Sequence, residues 1–171
     1  MCIRDRYDII ILSGGVSKGK FDFLPTALEE LGVQKLFHKV KQRPGKPFWF
    51  GKATNAKKTV VFALPGNPVS SFMCTHRYIL PWLRASIGLP EQHLPFAKLT
   101  ESYLFKPDLT YFLQVKISYD EKGRIWAQPV TGNGSGDLAN LSYADAFLQL
   151  PDGKKTFRKG SVYPFIRYKL G

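Results

Sequence analysis

Residues 64–71 read Leu-Pro-Gly-Asn-Pro-Val-Ser-Ser, and this stretch decides the fold. It follows Thr59-Val60-Val61-Phe62-Ala63, an apolar, partly β-branched run that reads as a buried strand. It precedes a segment with helical character from Val69 to about Ser86. Each proline fixes its own φ and restricts the residue before it, so the turn is stiff. Gly66 is expected to allow a backbone shape or close approach that a side chain would block. Asn67 is a favoured N-cap, and Pro68 suits the first helical position. The amides of Val69, Ser70 and Ser71 are then expected to lack intrahelical partners. A stiff strand-to-helix turn with such amides is a place to hold an anion.

Upstream, the same grammar appears once more. Ile9-Ile10-Ile11-Leu12 reads as a buried strand of the parallel-sheet kind. Ser13-Gly14-Gly15-Val16-Ser17-Lys18-Gly19-Lys20 follows as a glycine- and serine-rich loop. A helix is expected over Phe23–Leu31 from the spacing of Leu24, Leu28 and Leu31, with Gly32 as its stop. Pro25 falls in the first turn, where proline is tolerated. Leu36–Val40 leans toward a strand, Lys41-Gln42-Arg43-Pro44-Gly45-Lys46-Pro47 is a basic turn, and Phe48-Trp49-Phe50 is apolar again. In the segment after the opening loop, Pro81 predicts a kink or an early end. The order strand–helix–strand–strand–helix is that of an α/β layer, where ligands gather outside the carboxyl ends of the strands.

After about Pro95 the texture changes. Leu99–Phe105, Tyr111–Tyr119, Arg124–Pro129, Ala146–Leu150 and Ser161–Tyr168 are short, alternating and rich in Tyr, Phe, Val and Ile. These runs predict a small all-β barrel or sandwich with one helical turn near Leu138–Leu141. The expected division is 1–6 as a non-native scar, 7–93 as part of an α/β domain, and 94–171 as a β domain. The abrupt opening Met-Cys-Ile-Arg-Asp-Arg does not resemble a signal peptide and is set aside.

The formal net charge is +12. Residues 1–91 hold 14 Lys and Arg against 6 Asp and Glu, and residues 92–171 hold 11 against 7. The excess thus concentrates where the candidate anion loops are. Charge alone fits nucleic acid, anionic lipid or phosphorylated small molecules. No basic run with interleaved aromatics accompanies it, and no nucleic-acid partner is expected. No apolar run approaches the roughly 20 residues a membrane helix needs. Two cysteines without a CxxC pair point away from a disulfide framework or zinc site, and toward a reducing cytoplasm. His38, His76 and His93 show no ligand spacing.

Three motifs occur in order: Ser13-Gly14-Gly15-Val16-Ser17-Lys18-Gly19 with Asp22, Arg43-Pro44-Gly45-Lys46-Pro47, and Leu64-Pro65-Gly66-Asn67-Pro68-Val69-Ser70. Together they resemble the molybdopterin molybdenumtransferase family, to which the gephyrin E domain is related. Thr131-Gly132-Asn133-Gly134-Ser135 and Ala144-Asp145-Ala146-Phe147 resemble that family's C-terminal β domain. The resemblance covers nearly all of residues 7–171.

It implies a fold and a chemistry. The fold would be part of a three-layer molybdopterin-binding α/β domain with a mostly parallel sheet, followed by the β domain. The reaction would insert molybdate into adenylylated molybdopterin with release of AMP, assisted by Mg2+. Asp22 would be catalytic and the metal ligand, although on its own it reads equally as an N-cap. Arg43 and Lys46 would bind molybdate or the pterin phosphate, with Lys46 also catalytic. Ser13, Gly14, Gly15 and Ser17 would offer amides and hydroxyls. Pro65, Gly66, Asn67 and Pro68 would form the stiff turn, and Ser70 would lie at the molybdate site. Ser135 would face the active site across a subunit boundary. The family members are homodimers, and a molybdopterin adenylyltransferase is a candidate partner. The family's TGDE-type motif is not found in this chain, so the chain is expected to be an inactive C-terminal piece of the enzyme. The alternative reading is a molybdopterin-binding or scaffold protein that reuses the fold.

Overall fold

The computed structural model describes residues 6–17, 23–54, 57–130 and 138–169. The chain divides into two compact units, Met1–Val40 with Gly45–Cys74, and Lys41–Pro44 with Thr75–Gly171.

The first unit is built on strand β1 (Ile9–Ser13), helix α1 (Leu24–Glu30) and strand β2 (Val33–His38). Strand β3 (Gln42–Arg43) belongs to the second unit. Strands β4 (Trp49–Ala53) and β5 (Val60–Leu64) and helix α2 (Pro68–Cys74) complete the first. The sheet order is β1-β5-β4-β2. β1 and β5 run parallel, from Ile9 opposite Val60 to Ser13 opposite Leu64. β5–β4 and β4–β2 are antiparallel. The sheet is therefore mixed, and the expectation of a mostly parallel one does not hold for this segment. Connection length is the reason. Residues 54–59 are too few for a crossover, so β4 can only return antiparallel onto β5.

One sheet face is closed by α1. Leu24 and Leu28 meet Val16, Val33, Trp49, Ala53, Val61 and Ala63. The predicted helix is found within its expected limits, and Gly32 follows it at φ 73° as the expected stop. β1 is less buried than its composition implies, with Ile11 49% exposed. Among the described residues β5 is its one strand neighbour.

Gly51, in the middle of β4, has a packing reason to be glycine. A Cβ there would stand 2.4 Å from the Trp49 ring and 2.7 Å from the Gln34 carbonyl oxygen. The indole is fully buried and cannot move aside.

The helical run continues past α2 through a π turn (Thr75–Ile79) into α3 (Leu80–Ser86). The helix does not end at Pro81. Proline lacks the N–H that would bond back along the helix, and the widened turn just before it absorbs that loss.

The second unit contains β6 (Phe96–Leu99), β7 (Tyr103–Leu104), β8 (Thr110–Tyr119), β9 (Ile125–Pro129), the short helix α4 (Asn140–Tyr143), β10 (Ala146–Leu150), β11 (Thr156–Phe157) and β12 (Val162–Arg167). The pairings β10–β12–β6–β9–β8 close through β8–β10, so the expected barrel or sandwich is a barrel. Its interior holds Leu99, Leu113, Val115, Leu148, Leu150 and Phe165. β3 joins this sheet parallel to β8, outside the closed circuit. The predicted helical turn near Leu138 is found as α4.

The β8–β9 turn is organised by Asp120. Its carboxylate accepts the Lys122 and Arg124 amides, each at 3.0 Å, the Arg124 Nε–H at 2.6 Å and the Trp126 indole N–H at 2.9 Å. These donors, the indole foremost, hold the carboxyl well below the usual range. A depressed carboxyl stabilises the fold above its unfolded pKa and loses that effect as pH falls toward the folded value.

Gly51→Ala should lower stability by about 1–3 kcal/mol, read from denaturant midpoints; an unchanged midpoint would show that Trp49 has somewhere to go. Asp120→Asn should lower the thermal midpoint at pH 7, and its gap from the parent protein should narrow as pH drops below about 4. A gap that widens in acid would contradict the assignment.

Candidate functional site

The parallel pairing of β1 and β5 sends two loops out of the same end of the sheet. The Gly14 amide donates to the Leu64 carbonyl at 3.0 Å, extending the pairing one step beyond the strands. A Cβ built on Gly66 would sit 3.6 Å from Gly14 Cα, so the loops touch there. Gly14 and Gly15 adopt φ of 89° and 72°, a region L side chains rarely enter. The glycine requirement lies in this first loop. Gly66 has no positive φ, and its Cβ would make only an ordinary contact, which corrects the expectation that a side chain there is blocked.

Val16, fully buried, pins the first loop into the core, while Ser13 and Ser17 are exposed on either side of the glycines. His38, at the end of β2, holds this loop from the other direction. Its Nε2 lies 3.0 Å from the Val16 carbonyl oxygen. A carbonyl can only accept, so Nε2 carries the proton. The sequence reading assigns His38 no role, and a single polar residue closing a strand is too weak a signal to reveal one.

The second loop is braced internally. Asn67 is the expected N-cap, its Oδ1 accepting the Ser70 amide at 3.0 Å and the Ser70 hydroxyl at 3.1 Å. The Ser71 amide donates to the Asn67 carbonyl at 3.0 Å, and the Ser71 hydroxyl donates to the Pro65 carbonyl. Two of the three amides expected to face a ligand are thus committed within the turn. A helix this well capped has fewer donors to offer than the sequence implied. Pro65 and Ser70 are buried, whereas Gly66, Asn67 and Pro68 are exposed.

The connection 39–48 leaves and re-enters at the same end of the sheet. β4 is antiparallel to β5 with Trp49 opposite Ala63, so the residues before Trp49 lie beside the carboxyl end of β5. Lys46 is in this connection, exposed, with its carbonyl accepting the Val40 amide at 2.8 Å. The Arg43–Pro44 peptide is cis and Gly45 has φ 85°. Arg43 is exposed and belongs to the second unit, where it pairs with Tyr111 through β3. Burial is the main reason the Tyr111 phenol titrates well above its usual value, with Tyr103 adding to the shift and Arg43 opposing it.

In the first unit, then, one sheet end gathers Ser13, Gly14, Gly15, Pro65, Gly66 and Asn67, with the segment carrying Lys46 beside them. Asp22 and Ser135 lie outside the described residues. Among the described residues, no three His, Cys, Asp or Glu come together as a metal cage. No helix there is long and apolar enough to cross a membrane.

A family model described as a probable molybdopterin binding domain matches residues 2–85. A second, described as the MoeA C-terminal region (domain IV), matches 97–167. The chain is 45% identical over 162 residues to a molybdopterin molybdenumtransferase of Synechocystis sp., covering 95% of this chain and 39% of that protein. It is 31% identical over 157 residues to the Bacillus subtilis protein of the same name, covering 91% and 36%. Two solved structures of the molybdopterin biosynthesis moeA protein from Pyrococcus horikoshii share the fold, with TM-scores of 0.75 and 0.69 at 25% and 24% identity. They are matched over 96% of this chain and 38% and 36% of theirs. The chain therefore spans under two fifths of the length of these relatives.

Asn67→Ala should cost about 1 kcal/mol of stability, seen as a lower denaturant midpoint. Asn67→Ser should recover most of it, and no recovery would mean that the side chain does more than cap.

Proposed function

The chain belongs to the molybdopterin molybdenumtransferase family, and from that premise we propose that it is an inactive piece of an enzyme of molybdenum cofactor biosynthesis, one that inserts molybdate into adenylylated molybdopterin with release of AMP. The observation that carries this reading is the meeting of the Ser13–Gly15 and Leu64–Asn67 loops at Gly14 and Gly66, beside the segment bearing Lys46. Glycines at positive φ shape the kind of backbone concavity that suits oxyanions.

The work divides among few groups. Ser13, Gly15 and Ser17 offer amides and hydroxyls to phosphate oxygens, while Gly14, its amide held by the Leu64 carbonyl, shapes the turn that presents them. Lys46 and Arg43 supply positive charge, Lys46 as a compact ammonium and Arg43 as a forked donor suited to two oxygens at once. Pro65, Gly66, Asn67 and Pro68 keep the second loop stiff, which lowers the ordering cost of binding. Ser70, bonded to Asn67, supports that loop more than it reaches outward. Asp22 would hold Mg2+ on the phosphate to be cleaved, where the ion would offset developing charge. Magnesium is commonly held by one or two carboxylates plus substrate phosphates, so a cage of three protein ligands is not required. Ser135 would reach the site from a partner subunit of a homodimer. The proposed domain division is 7–93 and 94–171, the protein working in the cytoplasm and receiving its substrate from a molybdopterin adenylyltransferase.

AMP release from adenylylated molybdopterin and molybdate tests the reading in the full-length protein of which this chain is a part. Asp22→Ala should retain pterin binding but slow AMP release by on the order of 100-fold, and Lys46→Ala should weaken the response to molybdate. Unchanged release in Asp22→Ala would remove that residue from the chemistry. Tight pterin binding without AMP release by the parent protein would favour a scaffold that reuses the fold.

A further inference from the structure

Four residues, Lys41–Pro44, belong to the barrel unit although the chain on either side of them belongs to the other. Three kinds of contact hold them there. The first is the backbone: Gln42 and Arg43 lie parallel to Thr110 and Tyr111 of β8, and the Thr110 amide donates to the Lys41 carbonyl at 3.1 Å. The second is ionic. Lys41 Nζ stands 2.8 Å from Asp108 Oδ2 and 3.0 Å from Asp152 Oδ2. Asp108 uses its other oxygen to accept the Gly153 amide at 2.8 Å, so one lysine ties the strap to both flanking barrel loops. The third is buried. Gln42 is 1% exposed, and its Oε1 accepts the hydroxyl of Tyr78 on the π turn.

The strap's own alternation explains what these contacts accomplish. Successive side chains of an extended segment point to opposite sides. Gln42 turns inward, so Lys41 and Arg43 flank it on the other side, and Arg43 stays exposed. Lys41 and Gln42 are engaged with the barrel unit, and Arg43 between them and Pro44 stays exposed.

We propose that Lys41, Gln42, Tyr78, Asp108 and Asp152 form a clasp of positioning residues that fixes where Arg43 presents its guanidinium to an oxyanion. This rests on the reading of Arg43 as an oxyanion binder. The clasp makes that arginine's location a property of the barrel instead of its own flexible stem. Exposed ion pairs of this kind contribute little stability singly. Their use here is geometric: they hold a short strand at a fixed register, and the buried Gln42–Tyr78 bond prevents it from slipping by one residue.

Calorimetric titration of molybdate into the full chain provides the test, with thermal midpoints measured alongside. Arg43→Ala, the exposed pair Asp108→Asn/Asp152→Asn, and Tyr78→Phe are made singly and then combined with Arg43→Ala. The acid-pair variant should weaken molybdate binding by roughly threefold to fivefold, and Tyr78→Phe by about tenfold, with Lys41→Arg close to the parent. Neither clasp variant should weaken binding further once Arg43 is alanine, because its effect passes through Arg43. Parent-like affinity in the clasp variants, or an equal loss with and without Arg43, would overturn the clasp. Parent-like affinity in Arg43→Ala would instead overturn the oxyanion reading of Arg43 beneath it. The acid pair is exposed and leaves the barrel core intact, so it decides the matter even if Tyr78→Phe folds poorly.

Discussion

The candidate site depends on one register: β1 parallel to β5, with Ser13 opposite Leu64 and the Gly14 amide on the Leu64 carbonyl. Parallel pairing brings two strand ends, and hence two loops, to the same side of the sheet. An antiparallel pair would have separated them by the length of a strand. A one-residue slip would keep the loops adjacent but turn Ile10 and Leu12 away from the α1 face, where they pack now. Burial of that face therefore fixes the register, and the register fixes the loops. The core of the first unit and its candidate binding chemistry are thus two consequences of a single pairing.

Rigidity and donor supply compete in the second loop. Asn67 satisfies the Ser70 amide and hydroxyl, and its carbonyl takes the Ser71 amide. These bonds stiffen the turn, yet they occupy groups that a bare helix end would leave for an anion. The first loop solves the problem differently. Its positive-φ glycines shape the backbone without side chains, so stiffness must come from outside, through buried Val16 and the His38 bond to its carbonyl. One loop is self-braced and the other is braced by its neighbours.

The parts of this arrangement that sequence reading recovers are those written in local chemistry. Asn67 before Pro68 is a cap signal and is a cap; Leu24 and Leu28 share a helix face; the alternating runs after Pro95 are barrel strands. The parts it misses are set by partners distant in the chain. Ile9–Leu12 has the composition of a central strand, yet among the described residues only β5 pairs with it, because neighbour count is not encoded in a strand's own residues. The mixed sheet likewise follows from how far the chain must travel between strands. Gln42 and Tyr78 are 36 positions apart, and neither carries a motif, so their bond is invisible until the π turn and the barrel edge are both in place. Lys41 reads as one more solvated lysine in a basic run, yet it has two carboxylates around it.

The π turn between α2 and α3 has an effect beyond accommodating Pro81. An α-helix advances about 100° per residue, so one extra residue in a turn rotates everything after it by that angle about the helix axis. Read as one uninterrupted helix, Val69, Met73, His76 and Leu80 would share a stripe. Instead the buried positions run through Val69, Ser70, Met73 and Cys74, reach Ile79, and stop, with none in α3. The segment is therefore two helices of different phase joined without a break in the backbone. Its length in residues acts as an angular setting within the second unit: adding or removing one residue within 75–77 would turn Tyr78 away from the Gln42 side chain it bonds.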